Sequence, residues 1–163
     1  MTRREFLTLC AGTAAAMGIA GTGWPGLAEA VRPLAGGNPP VLWLRGSGCN
    51  GCSASMLNTA GPGLRELLTE LVRMSWHPGF VYGAGATLAE GLMRLAEANK
   101  DKFILVVEGA VPKGADGRFH VMGRTGDGRS VTFIELVQQL GRKARYVIAA
   151  GTCAAFGGLP AAE

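Results

Sequence analysis

The prediction of the fold begins with residues 40–52, which read Pro-Val-Leu-Trp-Leu-Arg-Gly-Ser-Gly-Cys-Asn-Gly-Cys. Its first part, residues 41–44, is a continuous apolar run between a proline pair and a glycine, which predicts a buried strand. Its second part is a glycine-rich loop that carries Cys49 and Cys52. The stretch therefore predicts a core strand with two cysteines just beyond its carboxyl end.

Three more strands are predicted: a weaker one over residues 72–76, and two from apolar runs of the same kind at 103–107 and 146–149. The last two runs are apolar throughout, so we expect both strands to be buried on both faces of a sheet.

Apolar residues at helical spacing separate these strands. They predict helices over about 64–72 and 88–96, and a third from Thr132, whose hydroxyl stands three residues ahead of Glu135. Alternating strands and helices predict an α/β fold with a mostly parallel sheet and helices on both faces. Residues 109–131 are expected to form one long loop rich in glycine.

The composition excludes several classes of protein. The 163 residues suffice for one domain, and 48% apolar with 17% charged residues indicates a globular chain. The net charge of +4 comes from scattered basic residues, so no nucleic acid is expected as a partner. Four cysteines are too few for a disulfide-dense scaffold.

Residues 1–30 have the pattern of an export signal. Arg3 and Arg4 form a twin-arginine pair, a glycine- and alanine-rich stretch follows, and an Ala-x-Ala end stands at 28–30. A membrane-spanning first helix is the alternative, but the stretch is short and rich in glycine for a span. We therefore predict a twin-arginine signal over 1–30 and a folded domain over 31–163. That domain would work in the periplasm or at the periplasmic face of the inner membrane.

Three cysteines and one glutamate follow predicted strands directly. Cys49 and Cys52 follow the first strand, Glu108 follows the strand at 103–107, and Cys153 follows the last strand. In open α/β sheets, ligands bind outside the carboxyl ends of the strands. These four residues are therefore expected to converge at one edge of the sheet.

Converging cysteines, two of them in a Cys-x-x-Cys pair, indicate a metal or iron–sulfur site. The pair by itself also fits a redox dithiol, half of a zinc site, or a disulfide in an exported protein. A dithiol needs no third cysteine at the same edge, and a zinc site usually combines two such pairs. A Cys49–Cys52 disulfide would leave Cys153 unexplained. An iron–sulfur site is favoured, and the other three interpretations stay open.

Four segments resemble, in the same order, the small electron-transfer subunit of nickel–iron hydrogenases, a family that also carries a twin-arginine signal. The segments are residues 40–55, 77–85, 106–112 and 148–158. The resemblance implies a flavodoxin-like domain that holds a proximal 4Fe-4S cluster, with Cys49, Cys52 and Cys153 as three of its four ligands. Glu108, close to these ligands, would either assist proton movement or cap neighbouring loop N–H groups.

The resemblance also implies the partners. A separate large subunit would carry the nickel–iron centre that oxidises H2, so this chain would belong to an enzyme without holding a catalytic residue. Electrons would pass from the proximal cluster to a cytochrome or another electron acceptor. The twin-arginine export machinery would recognise residues 1–30.

The sequence departs from that family in two ways. The family has a fourth proximal ligand in a later Gly-Cys-Pro segment and further iron–sulfur clusters beyond it, and these 163 residues contain neither. Cys10 lies in the predicted signal and cannot replace that ligand. Gly48 stands where the family often has a polar residue. We therefore expect a domain truncated at its C-terminus.

Other interpretations stay open. One is an iron–sulfur subunit of respiratory complex I or of a cytoplasmic hydrogenase, although the complex I subunit has adjacent cysteines where Cys49 and Cys52 are separated. Another is an exported non-redox binding module with a Cys49–Cys52 disulfide, and a third is a degenerate fragment without activity. His77 is expected to be a loop residue that forms hydrogen bonds rather than a ligand.

Overall fold

The fold is that of a computed structural model, which describes residues 38–60, 62–80, 86–158 and 161. The predicted signal over 1–30, with Cys10 inside it, lies outside these residues. Within them, no helix combines the length and the apolar character that a membrane crossing needs.

Four of the strands form one sheet, and the other two form a hairpin. The strands are β1 (Pro40–Arg45), β2 (Arg73–Trp76), β3 (Ile104–Glu108), β4 (Val121–Arg124), β5 (Ser130–Thr132) and β6 (Tyr146–Ala150). The sheet has the order β2-β1-β3-β6, and β3 pairs in parallel with both β1 and β6. This is the order in which a flavodoxin-like sheet begins, so the predicted α/β fold with a mostly parallel sheet is confirmed.

The described part of the chain contains five α-helices. They are α1 (Gly51–Leu57), α2 (Leu64–Glu66), α3 (Ala86–Ala98), α4 (Phe133–Gly141) and α5 (Gly151–Phe156). The predicted helix near 64–72 is present, but after α2 it continues as a π-helical turn over Leu67–Leu71. The predicted start of α4 is confirmed, because the Thr132 hydroxyl accepts a hydrogen bond from the Glu135 N–H at 3.3 Å.

The main core lies between one face of the sheet and two helices. Apolar side chains of β1 and β3 pack there against α3 and α4, and the buried set includes Leu42, Leu44, Leu105, Val107, Leu92, Ala96, Phe133, Leu136 and Leu140. The side chains of β1 and β3 that point to the opposite face, among them Trp43 and Val106, are buried as well. The prediction that these strands are covered on both faces is therefore correct for β1 and β3.

The prediction for β6 is wrong, because Val147 is 54% exposed and Ile148 is 47% exposed. In the described part of the chain β6 is the outermost strand of the sheet, with β3 on one side. An apolar run predicts a strand, but it carries no information on how many neighbours the strand will have.

The prediction of one long loop over 109–131 is also wrong. The segment contains a short 3-10 turn at Gly114–Gly117 and then the antiparallel hairpin of β4 and β5. Two hydrogen bonds of 2.8 Å close the hairpin turn, from the Thr125 N–H to the Arg129 carbonyl and from the Gly128 N–H to the Thr125 carbonyl. The two strands were missed because they are short and β4 contains a glycine, a residue that strands disfavour.

The described residues fall into two compact units. The first comprises 38–39 and 57–73, where the Asn38 amide donates to the Thr69 carbonyl at 3.0 Å. The second comprises 40–56 and the residues from Met74 onward, and it contains the main core. All residues of the candidate site lie in this second unit.

Candidate functional site

The loops that follow β1 and β3 pair with each other at the carboxyl edge of the sheet. The Ser47 N–H donates to the Ala110 carbonyl at 3.0 Å, and the Ala110 N–H donates back to the Ser47 carbonyl at 2.8 Å. Gly109 has a φ of 83°, and a Cβ there would lie only 2.9 Å from the carbonyl carbon of Gly46. The close approach of the two loops therefore requires glycine.

The three predicted cysteines all lie at this edge. Cys49 is exposed in the loop after β1, Cys52 is in the first turn of α1, and Cys153 is in α5, directly after β6. All three are free thiols. The Cys52 thiol donates to the Ala150 carbonyl at 3.4 Å, so the segment after β1 contacts the end of β6.

The pKa of the Cys52 thiol is affected by its burial and by negative charges around it. Burial raises the pKa of the Cys52 thiol, and the negative charges of Glu108, Cys49 and Cys153 raise that pKa further. A bound metal would reverse the effect, since its positive charge favours the thiolate.

The described residues include no group of three or more Cys, His, Asp or Glu side chains placed to hold a single metal ion. A 4Fe-4S cluster is bound through one thiolate on each iron, so its ligands stand farther apart than those of one ion. Three thiols at one edge of a sheet are donors of the kind that iron–sulfur clusters and zinc ions both use.

A glycine lies against each of the three sulfurs. The pairs are Gly51 with Cys49, Gly151 with Cys52, and Gly158 with Cys153. A Cβ on Gly158 would lie 2.7 Å from the Cys153 sulfur, and a Cβ on Gly151 would overlap the Cys52 sulfur. Gly51, Gly151 and Gly158 together form a glycine cradle, which leaves room at the sulfurs because glycine has no side chain. Thiol donors in such surroundings fit an iron–sulfur cluster.

The Glu108 carboxylate caps the N-terminus of α1. Its carboxylate is 2% exposed and accepts the N–H groups of Cys52 and Ser53, both at 3.1 Å. It also accepts the Trp43 indole N–H at 2.9 Å and the Ser53 hydroxyl. Burial acts to raise the pKa of Glu108, but the hydrogen bonds from Ser53, Trp43 and Cys52 outweigh it and lower that pKa. The carboxylate is therefore ionised at neutral pH, and it accepts backbone N–H groups of the first turn of α1.

His77 and Ser53 extend this network, and sequence reasoning did not connect them with it. His77 is 3% exposed, its Nδ1 accepts the Gly79 N–H at 3.0 Å, and its Nε2 lies 3.3 Å from the Ser53 hydroxyl oxygen. The ring of Phe80 stacks on the imidazole at 4.6 Å between centroids. Burial lowers the pKa of His77, which keeps the ring neutral. No spacing rule relates residues so far apart, so only the fold reveals the contact.

Cys153 also lines an open cavity of about 810 Å³ beside α5. The cavity includes two side chains that are largely exposed, Phe119 at 77% and Phe156 at 80%. Exposed aromatic side chains of this size mark surfaces suited to association with another protein. The cysteine edge therefore adjoins an apolar surface.

The fold and the site define a flavodoxin-like α/β domain with cysteines and glycines at its ligand-binding edge. Residues 49–163 match the family described as NADH ubiquinone oxidoreductase, 20 Kd subunit, and the chain belongs to that family.

Two relatives show which kind of protein within this family the chain resembles. The chain is 37% identical over 167 residues to the periplasmic [NiFeSe] hydrogenase small subunit of Desulfomicrobium baculatum, a match covering 100% of this chain and 53% of the relative. It is 36% identical to the periplasmic [NiFe] hydrogenase small subunit 1 of Nitratidesulfovibrio vulgaris, covering 100% of this chain and 49% of the relative. The chain thus spans about half the length of these relatives.

Solved structures agree with this result. The recombinant [NiFeSe] hydrogenase of Desulfovibrio vulgaris Hildenborough in the oxidized state matches with a TM-score of 0.72 and 39% identity. That match covers 80% of this chain and 46% of the other. The resemblance to small subunits of nickel–iron hydrogenases, which the sequence motifs predicted, is confirmed.

Proposed function

We propose that the chain is the electron-transfer subunit of a nickel–iron hydrogenase. In this proposal Cys49, Cys52 and Cys153 supply three thiolate ligands of a proximal 4Fe-4S cluster, and the fourth ligand comes from outside residues 1–163. The observation that carries the proposal is the glycine cradle beside all three sulfurs, in a chain similar over its whole length to such subunits.

We also propose which partners the chain has and where it works. A large subunit holds the nickel–iron centre, where H2 is oxidised, and a cytochrome or another electron acceptor receives the electrons. Residues 1–30 direct export by the twin-arginine route, and the domain over 31–163 works in the periplasm or at the periplasmic face of the inner membrane. The relatives named periplasmic support this location.

When bound, a 4Fe-4S cluster supplies one-electron transfer. The residues of this chain hold and tune the site. The three thiolates bind, Glu108 fixes the N–H groups of Cys52 and Ser53, and its negative charge lies close to the Cys52 sulfur. A fixed negative charge favours the more oxidised state of a nearby redox group, so Glu108 lowers the reduction potential at this site.

The family description favours a second candidate, an iron–sulfur subunit of an NADH:ubiquinone oxidoreductase. Two observations favour the hydrogenase instead. The cysteines of the Cys49–Cys52 pair are separated in sequence, and the relatives from Desulfomicrobium baculatum and Nitratidesulfovibrio vulgaris are named as hydrogenase small subunits. Assays with H2 and with NADH as electron donors distinguish the two.

In the test, the protein that carries residues 1–163 is expressed anaerobically together with the large subunit of a nickel–iron hydrogenase. We expect the purified complex to contain iron and acid-labile sulfide and to reduce a dye with H2. Cys49→Ser, Cys52→Ser and Cys153→Ser should each lose most of the iron, because each removes a thiolate. Ala154→Ser, next to Cys153 in α5, is the matched control and should retain it. A complex without iron or sulfide, in which Cys49 and Cys52 form a disulfide, would instead support the exported binding module.

A further inference from the structure

A buried chain of hydrogen bonds connects His77 to the first turn of α1, and its direction is fixed. The Gly79 N–H donates to Nδ1 of His77, so in the neutral ring the proton is on Nε2. Nε2 therefore donates to the Ser53 hydroxyl oxygen at 3.3 Å. The Ser53 hydroxyl in turn donates to Oε2 of Glu108, an oxygen with no proton of its own.

Each member of this chain is shielded from water. Ser53 is 8%, His77 3% and Glu108 2% exposed. A buried polar group that loses its partner cannot find a water molecule as a replacement, so breaking one link destabilises its neighbours as well. The same carboxylate accepts the N–H groups of Cys52 and Ser53, which are backbone groups of the first turn of α1. A change at His77 should therefore reach Cys52 although the two residues are not bonded.

We propose that His77 is a positioning residue for Cys52, which acts through the Ser53 hydroxyl and Glu108 to hold the first turn of α1 in one orientation. The inference deepens the proposed function and rests on it in one respect, namely that Cys52 is a cluster ligand. The orientation of α1 itself can be measured whether or not a cluster is bound.

The alternative is that His77 only fills space. Its ring stacks on Phe80 and lies 5.4 Å from the centroid of Trp43, so packing alone could explain its burial. Two substitutions separate these explanations. His77→Phe keeps an aromatic ring and removes both nitrogens, whereas His77→Gln removes the ring and keeps an N–H donor.

The measurement is hydrogen–deuterium exchange of the peptide covering residues 49–57, in the complex with the large subunit. We expect His77→Phe and Ser53→Ala each to speed this exchange about fivefold, the effect of losing one buried hydrogen bond. His77→Gln should restore part of the protection. The double variant should exchange no faster than Ser53→Ala alone, because both changes break the same chain. Exchange over α4 is the internal control and should not change.

The inference is overturned if His77→Phe leaves the exchange of residues 49–57 unchanged, or if its effect persists in full in the Ser53→Ala background. If His77→Phe does not fold, His77→Gln replaces it. The effect of His77→Gln on exchange is then measured both in the otherwise wild-type protein and in the Ser53→Ala variant. Electron paramagnetic resonance of the reduced cluster tests whether the change reaches Cys52, a proposed cluster ligand. We expect the signal to differ between wild type and His77→Phe. Failure of the proposed function is recognised separately, as wild-type protein without iron and sulfide.

Discussion

Single residues at the carboxyl edge show where sequence reasoning succeeds and where it ends. Cys49, Cys52 and Cys153 could be placed at one edge because each directly follows an apolar strand. Glu108 could be placed there for the same reason. The partners of Glu108 could not be predicted, since Ser53 lies 55 positions away along the chain and only the fold brings the first turn of α1 to the end of β3.

Gly151 offers a test of the glycine cradle. It has a φ of 80°, and a Cβ there would overlap the Cys52 sulfur. Gly128 has a similar φ of 86° but nothing within 4 Å of the same Cβ position, so it is the matched control. We expect Gly151→Ala and Gly128→Ala both to lose about 1–2 kcal/mol of unfolding free energy through backbone strain. Only Gly151→Ala should also lose bound iron, and equal iron contents would contradict the cradle.

His120 gives the protein a dependence on pH. Its Nδ1 is buried with no hydrogen-bond partner among the described residues, and the ring stacks on Phe133 at 4.8 Å. Burial lowers the pKa of His120, and the charge of Arg45 lowers that pKa further. The unfolded chain therefore binds the proton more readily, so stability is full above about pH 6.5 and is lost as the pH falls through the folded-state pKa.

The check is urea unfolding of wild type and His120→Gln between pH 7.5 and about 5, the range in which an ordinary histidine gains its proton. The unfolding free energy of wild type should fall more steeply than that of the variant. Parallel curves for the two proteins would mean that His120 does not contribute to the pH dependence.

Secondary-structure elements were predicted best where a local signal exists. The start of α4 was predicted from Thr132 and Glu135, and the structure has one of the two hydrogen bonds of a capping box. The Thr132 hydroxyl accepts the Glu135 N–H, while the Glu135 carboxylate binds Arg129 at 2.8 and 3.0 Å instead of returning to the cap. The β4–β5 hairpin has no comparable signal, because short strands that contain glycine differ little from a loop.

Thr132→Ala should lower the free energy of unfolding by about 1 kcal/mol, because the N-terminal amides of α4 lose their side-chain acceptor. Thr69→Ala is a suitable control, since the Thr69 hydroxyl donates to the Arg65 carbonyl on an exposed turn and caps nothing. Chemical denaturation monitored by circular dichroism measures both. A loss for Thr132→Ala no larger than for Thr69→Ala would show that the cap contributes nothing.

For the whole molecule, the order of strands follows from the alternation of strands and helices, but the exposure of β6 does not. In the described part of the chain β6 is the outermost strand, and its two exposed β-branched apolar side chains favour pairing with another copy of the chain. We expect the double variant Val147→Thr and Ile148→Thr to increase the monomeric fraction of the chain expressed alone, measured by sedimentation velocity. Val121→Thr removes a side chain of similar exposure, 45%, from the hairpin and should have no such effect. An unchanged monomeric fraction in the double variant would show that β6 does not mediate association.

The long-range contacts of Cys52 have a consequence for the order of folding. The Cys52 thiol bonds to Ala150, 98 positions further along the chain, and the Cys52 N–H bonds to Glu108, 56 positions away. Contacts between distant segments form late, because closing long loops is entropically costly. A nascent or partly folded chain with β6 still unpaired therefore cannot assemble the cysteine edge. Under the proposed function, a cluster could bind at this edge only after β6 has paired with β3, so bound iron would also be a sign that these strands have assembled.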